Sequence, residues 1–341
     1  LKIIDQIVLP VNLKPMISTY EHHATVFAGI SFKDDYLDWL YSNYIQIWCS
    51  RDFETNRNVS INYCDNGDDY HSNYNSCPFM WTYAIPNQYV GSEGDVVQFF
   101  KRALQDQYYV RPFLDVYYLP DSSDYGVTHY IAGKQIYGYD DRKQTFNLLG
   151  YRDGQYLPSE IPYALVEQAF YANKNEQDWQ SHLHLGHYKE ARYGLDLTRI
   201  SQLIHDYTYS TQRNLYKEEW KKTDCFGLET YMYIIQYLHA LQKGDTTFDI
   251  RPSHLMWEHK HVMLKRLNRL VHKKVLDASV LEKYGPLVEQ TVLLRNYLLK
   301  YKRVKDNKVI DRIVVALQHI HRQEYAIMQE IEHKLAVYRP A

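Results

Sequence analysis

The chain has 341 residues, 45% of them hydrophobic, which is enough for a real core and for two domains. Its formal net charge is −2 with 16 His counted neutral, so it carries no basic footprint for nucleic acid or for an anionic membrane surface. Four cysteines (Cys49, Cys64, Cys77 and Cys225), with no Cys-x-x-Cys pair, exclude a disulfide framework and predict reduced thiols in a cytoplasmic setting.

The first residues show no signal-peptide pattern, and Ile7 to Val11 is a short strand-like run broken by Pro10 and Pro15. From Tyr20 to about Cys49 the apolar residues recur at helical spacing: Val26, Phe27 and Ile30, then Tyr36, Leu37, Leu40, Tyr41, Tyr44, Ile47 and Trp48. This predicts two helices split between Gly29 and Asp35, with Ser18 or Thr19 as N-cap of the first. Arg51 to Pro78 is a long polar loop. Asp95 to Gln107 is an amphipathic helix, and Phe113 to Leu119 is a strand ended by Pro120. A turn-rich loop, Asp121 to Thr128, leads into a hairpin. Its strands are His129–Tyr139 and Thr145–Tyr151, around the polar turn Asp140–Gln144. Pro158 and Pro162 start a helix through about Ala172, and Asn173 to Gln180 is the best linker.

Beyond Asp196, a plausible N-cap, the pattern is helical throughout. The clearest stripe is Ile310, Ile313, Leu317, Ile320, Ile327, Ile331 and Leu335. The fold class is therefore α+β, with a mixed domain over 1–172 carrying a central antiparallel sheet and an α-helical bundle over 190–341. No apolar run reaches the roughly 18 residues of a membrane span. The 34 tyrosines are spread along the whole chain and suit broad interfaces or a wet cleft.

Histidine carries the clearest chemistry. His129 opens one strand of the hairpin and Asn147 lies in the other, where cross-strand neighbours can share a face. A strand His held by an Asn or Asp is the base that activates a thiol on an early helix in papain-like enzymes. The start of the early helix reads Ile17-Ser18-Thr19-Tyr20-Glu21-His22-His23, with hydroxyls but no thiol; Cys49 stands at the far end of the next predicted helix. Other chemistries find less support. His182, His184 and His187 match no zinc template. The Glu-x-x-His pairs Glu258/His261 and Glu330/His333 are expected to point away from the apolar stripes. A Gly-rich phosphate loop and a Gly-x-Ser-x-Gly elbow are absent, and no metal or cofactor is expected.

The run Asp115-Val-Tyr-Tyr-Leu-Pro120, then His129-Tyr-Ile, Ile136-Tyr-Gly-Tyr-Asp-Asp141 and Phe146-Asn147, resembles the core of the butirosin biosynthesis protein H (BtrH) family. Tyr193-Gly-Leu-Asp-Leu197, His205-Asp-Tyr207, Phe226-Gly-Leu-Glu-Thr-Tyr231 and Arg251 to Lys260 resemble the helical part of bacterial members found with peptide and polyketide assembly lines. The resemblance implies a papain-like N-terminal domain and acyl or aminoacyl transfer from a carrier-protein thioester to an amine, in natural-product biosynthesis. Carried over, His129 is the base and Asn147 or Asp140 orients it. The family's cysteine falls near Ser18–His23, where this sequence has none; Ser18 and Thr19 are the candidate hydroxyls there. Tyr20, His22, His23, Tyr117 and Tyr137 are the expected substrate contacts. The implied partners are an acyl or peptidyl carrier protein, or another assembly-line enzyme, and an amine acceptor; a homodimer is a further candidate assembly. The missing cysteine leaves two readings, direct transfer with His129 deprotonating the amine, or a non-catalytic accessory protein that binds an assembly-line enzyme or peptide.

Overall fold

The computed structural model describes residues 5–50, 59–64, 77–90, 96–152, 154–174, 178–212 and 223–337. The predicted polar loop lies mostly outside the described residues. In chain order the elements are β1 (Gln6–Val8), α1 (Glu21–Ile30), α2 (Leu37–Asn43), β2 (Ile47–Ser50), β3 (Ile61–Tyr63), β4 (Met80–Pro86), α3 (Val96–Gln105), β5 (Tyr108–Arg111), β6 (Phe113–Asp115), β7 (Ile131–Gly133) and β8 (Gln135–Asp140). They continue with β9 (Thr145–Arg152), β10 (Gln155–Pro162), α4 (Tyr163–Ala172), β11 (His182–Tyr188), α5 (Leu197–Thr208), β12 (Asp224–Phe226), α6 (Thr230–Lys243), α7 (Arg251–His272), α8 (Ser279–Val304) and α9 (Asn307–Val337). No helix among the described residues is long and apolar enough to cross a membrane.

The protein is mixed α/β, built on a large antiparallel sheet, and it divides into two compact units. Unit 1 is Leu1–Tyr36 with Tyr70–Tyr193; unit 2 is Leu37–Asp69 with Gly194–Ala341. The division at 172 and 190 expected from the sequence is corrected on two counts. Residues 173–193 stay with the first unit because they include β11, which pairs with both β4 and β5. Residues 37–69 join the second because α7 satisfies the end of α2. Arg266 donates to the carbonyls of Tyr41 and Tyr44 at 2.6 Å each, and His259 Nε2 lies 2.7 Å from the Ile45 carbonyl. Helix C-termini leave carbonyls without intrahelical partners, and here long-range side chains supply the donors.

In unit 1 the sheet runs β10-β9-β8-β5-β11-β4, and β1 also pairs with β8. The predicted hairpin is present in part as β8 and β9: its first strand starts at Gln135 rather than His129, because Ile131–Gly133 pairs with β6 instead and His129 stands in the loop before it. Asp140 is the residue that shapes its turn: its Oδ1 accepts from the amides of Arg142 and Lys143. A register shift falls between Ile136 and Gly138, where β1 crosses; a β-carbon on Gly138 would sit 2.5 Å from the Ile7 carbonyl. The segment 155–162, expected to be entering a helix, is a strand instead. It forms one end of the sheet, where Pro158 and Pro162 are tolerated, and α4 starts only at Tyr163.

Helix α1 is apolar on almost every side and buried from His23 to Ile30. Gly29 lets it lie against Met80, Tyr109 and Gln135, so it packs on a face of the sheet. Elsewhere in the unit, Phe100 of α3 meets Phe146 and Phe170 edge-on.

Unit 2 combines the small sheet β12-β2-β3 with α2 and helices α5 to α9. The stripe predicted for α9 is mostly its buried face: Ile310, Ile313, Leu317, Ile320, Ile331 and Leu335 are in the core, while Ile327 is half-buried and Met328 beside it is buried instead. Among these helices lies a fully buried ion pair, Lys260 Nζ to Glu324 Oε1 at 2.9 Å. Tyr231 and Tyr284 donate to the same carboxylate at 2.7 and 2.8 Å, while Lys260 donates to the Tyr207 hydroxyl at 2.8 Å and to His259 Nδ1 at 3.0 Å. Burial disfavours the charged lysine, and Glu324 partly offsets this. Burial and the adjacent Lys260 together hold His259 far below its ordinary range, so it is neutral and donates from Nε2 to the Ile45 carbonyl.

Candidate active site

Strands β6 and β7 pair in antiparallel register, with Asp115 opposite Ile131. That pairing closes the loop 116–130 and returns His129 to the end of β6, fourteen residues after Asp115. The Val116 amide donates to the Tyr130 carbonyl at 2.9 Å and fixes the neck of the loop. Asp115 is then held from three sides. Its Oδ1 accepts from the amides of Tyr117 at 3.1 Å and Tyr130 at 3.3 Å, and its Oδ2 meets His129 Nδ1 at 2.7 Å.

The burial of the two partners is opposite. The Asp115 side chain is 4% exposed and that of His129 is 63% exposed. The Tyr117 ring stacks on the imidazole with centroids 4.1 Å apart and planes within 14°, and Tyr118 meets it edge-on at 6.0 Å. With Asp115 accepting at Nδ1, the neutral imidazole carries its proton there and presents the Nε2 lone pair outward. A buried carboxylate that fixes the tautomer and stabilises the imidazolium is the arrangement a general base requires.

Asp115 is the residue that sequence reasoning missed. It opened the motif that carried the family resemblance, yet no role was assigned to it. The orienting groups expected instead, Asn147 and Asp140, do not hold His129, whose hydrogen bond among the described residues is to Asp115. Asn147 sits opposite Gly138 in the β8–β9 ladder, and Asp140 belongs to the hairpin turn. The β6–β7 pairing brings a different strand end to His129.

The start of α1 lies close to β7, the strand that follows His129. Glu21 opens the helix and makes a two-point ion pair with Arg111, at 2.8 and 2.5 Å. A β-carbon on Gly133 of β7 would collide with the Glu21 carboxylate. Burial would raise the Glu21 carboxyl, but Arg111, the Thr25 hydroxyl and Lys134 together hold the group below its ordinary value. The N-cap is Tyr20, with extended backbone and no side-chain cap, rather than Ser18 or Thr19. Thr19 is buried and Ser18 half-buried, and neither is a hydrogen-bond partner of His129.

The expected substrate contacts separate into two groups. Tyr117 is part of the His129 stack. Tyr20 and His22 are half-buried and stack at 5.7 Å, and His22 meets His23 at 4.3 Å. His23 is fully buried in α1 and Tyr137 is largely buried in β8, so the structure places both in the core.

Among the described residues, no group of three or more His, Cys, Asp or Glu side chains could hold a metal ion. His182, His184 and His187 lie on β11, where alternation sends His187 to the opposite face from the other two. Glu258 does not point away from the core as expected: it is buried, and its carboxylate meets His254 at 3.3 Å. Cys49, Cys77 and Cys225 are buried and Cys64 is half-buried. No protein-family model matches the chain, and no curated protein matches it.

Proposed function

We propose that this protein is a carrier-protein-dependent acyl or aminoacyl transferase in which His129 is the general base. The observation that supports it most is the His129–Asp115 pair: a solvent-facing imidazole, aligned at 2.7 Å by a buried carboxylate and stacked on Tyr117. This geometry argues for proton transfer at Nε2; the substrate class comes from the resemblance to the BtrH family. A papain-like reading of unit 1 is supported by the buried α1, by its packing on an antiparallel sheet and by its first turn lying beside the strand after His129. We assign the reaction to the cytoplasm, where carrier-protein thioesters meet amine acceptors.

The absence of a thiol at the start of α1 favours direct transfer. The acceptor amine attacks the thioester carbonyl while His129 Nε2 takes its proton. The tetrahedral adduct then collapses: the C–S bond breaks, the amide forms, and the departing carrier thiolate takes the proton back from the imidazolium. The test is turnover of acyl thioesters, on a carrier protein or a short thiol mimic, read by mass spectrometry of the amide. H129A is expected to lower turnover by about 10²- to 10⁴-fold, with the circular dichroism spectrum unchanged. Full activity in H129A overturns the assignment. An acyl adduct mapped to Ser18 or Thr19 replaces direct transfer by a covalent route.

A second reading, an accessory protein that docks an assembly-line enzyme or peptide, draws on a different observation. Tyr125, Val127 and Tyr130, all in the His129 loop, are exposed. On that reading Y125S/Y130S abolishes carrier-protein binding in calorimetry, while H129A leaves binding intact and no thioester yields product.

A further inference from the structure

Unit 2 brings two of the four cysteines together. Cys49 of β2 and Cys225 of β12 stand directly opposite each other in antiparallel register, and both are fully buried. Directly opposed residues of antiparallel strands project to the same face. The Ser50 amide donates to the Ser60 carbonyl, and the Cys64 amide donates to the Gln46 carbonyl. The even-numbered residues of β2 therefore turn their backbone groups toward β3, and Cys49 turns its own toward β12. That makes Cys49 and Cys225 a hydrogen-bonded pair, whose Cα atoms are about 5.5 Å apart by the geometry of antiparallel ladders. Disulfides span Cα separations of roughly 4.4–6.8 Å.

The opposed Cys225 thiol, and then burial, hold the Cys49 thiol far above its ordinary value. Cys49 Sγ also lies 3.5 Å from the Ser50 carbonyl. The resting Cys49 is thus a protonated thiol, slow to react while β12 stays in place. But β12 has three residues and forms an outer strand of the β12-β2-β3 sheet, so its detachment exposes both sulfurs at once.

We propose that Cys49 and Cys225 are a reversible dithiol–disulfide pair, oxidised by a small-molecule disulfide such as glutathione disulfide. One protein thiol loses its proton and attacks the small disulfide, forming a mixed disulfide and expelling the first small thiolate. The second protein thiol loses its proton and attacks the mixed disulfide at the protein sulfur, forming the Cys49–Cys225 bond and expelling the second thiolate. The two protons end on the two small thiols, and the protein has lost two electrons to the oxidant. Directly opposed Cβ atoms lie about 4.5–5.5 Å apart, whereas a relaxed disulfide needs roughly 3.5–4.5 Å, so the strands must draw together. A bond formed under that strain is readily reduced again, which suits a switch rather than a permanent staple. Its effect is to tie the 37–69 segment covalently to the later part of unit 2.

The experiment is incubation of the whole chain across a series of glutathione disulfide to glutathione ratios, followed by acid quench, alkylation, intact mass and peptide mapping. The expected result is loss of two hydrogen atoms, protection of two thiols from alkylation, one cross-linked peptide joining Cys49 to Cys225, and full reversal by dithiothreitol. C49A and C225A are each expected to abolish the cross-link. Should either variant fail to fold, the peptide map of the unsubstituted chain decides alone. Cross-links confined to Cys64 or Cys77, or a folded chain that keeps all four thiols across the whole series, overturn the proposal.

Discussion

His129 and Lys260 each face a carboxylate at hydrogen-bond distance, and the two pairs do different work because of where water is. Lys260 and Glu324 are both fully excluded from solvent. Every strong donor and acceptor there is matched, by Tyr207, Tyr231, Tyr284 and His259. Such a cluster costs desolvation energy and returns it only if each member is present, so it specifies one arrangement of α5, α6, α7, α8 and α9. In the His129 pair only the carboxylate is buried, and the imidazole keeps one nitrogen open. There a proton can arrive and leave. A buried pair fixes structure; a half-buried pair leaves a reactive atom at the surface.

The comparison breaks most visibly at Lys260. K260M leaves the Glu324 carboxylate buried with only its tyrosine donors, and a loss of about 3–5 kcal/mol in urea unfolding is expected. Replacing both partners, as K260M/E324M, should recover part of it, because the desolvation cost of both charges disappears while the hydroxyls of Tyr207, Tyr231 and Tyr284 lose their partners. A K260M protein as stable as the parent would mean the cluster is hydrated and does not organise the bundle.

At the other pair the expectation inverts, with activity moving and stability hardly at all. D115N should lower turnover by about 10²-fold, close to 2.7 kcal/mol in the barrier, since an amide neither fixes the tautomer nor stabilises the imidazolium. Equal loss of unfolding free energy and activity would make Asp115 a loop anchor instead.

Unit 2 should also be the acid-sensitive one near neutrality. Burial lowers the imidazoles of His259, His261 and His321, with the nearby Lys260 and Lys265 adding to the effect. Their folded values lie below the ordinary unfolded value of about 6.5, so the unfolded chain takes up protons first as pH falls. The stability is fully present above that value and is lost progressively below it. For His259, the fully buried one, the slope approaches about 1.4 kcal/mol per pH unit. Urea midpoints measured from pH 7.5 to 5 should decline, and H259N should flatten the decline. A flat profile in the parent would remove His259 from the balance.

The smallest effect belongs to the Tyr117 ring. Y117L removes the stack on His129 and is expected to cost about 0.5–1.5 kcal/mol in the barrier, a loss of several-fold in turnover. No change in rate would show that Asp115 alone sets the ring orientation.

Local pattern determined a good deal of this protein. The stripe of α9 is legible because one face of a helix repeats every 3.6 residues, and burial of that face needs no knowledge of its partner. The hairpin of β8 and β9 is legible because alternation and a polar turn fall within one window. His129 stood out for its type and position. What tertiary structure alone decided are the pairings: Asp115 to His129 through β6–β7, Lys260 to Glu324 across two helices, Cys49 to Cys225 across two strands, and the transfer of residues 37–69 to the later unit. β10 and β11 were missed for the same reason. Prolines at a sheet end and histidines in a central strand are permitted by neighbours that bond to them, and those neighbours come from distant parts of the chain. Periodicity records which face a segment buries. Which group meets it there depends on loop closure and strand register, and these are settled only when the whole chain has packed.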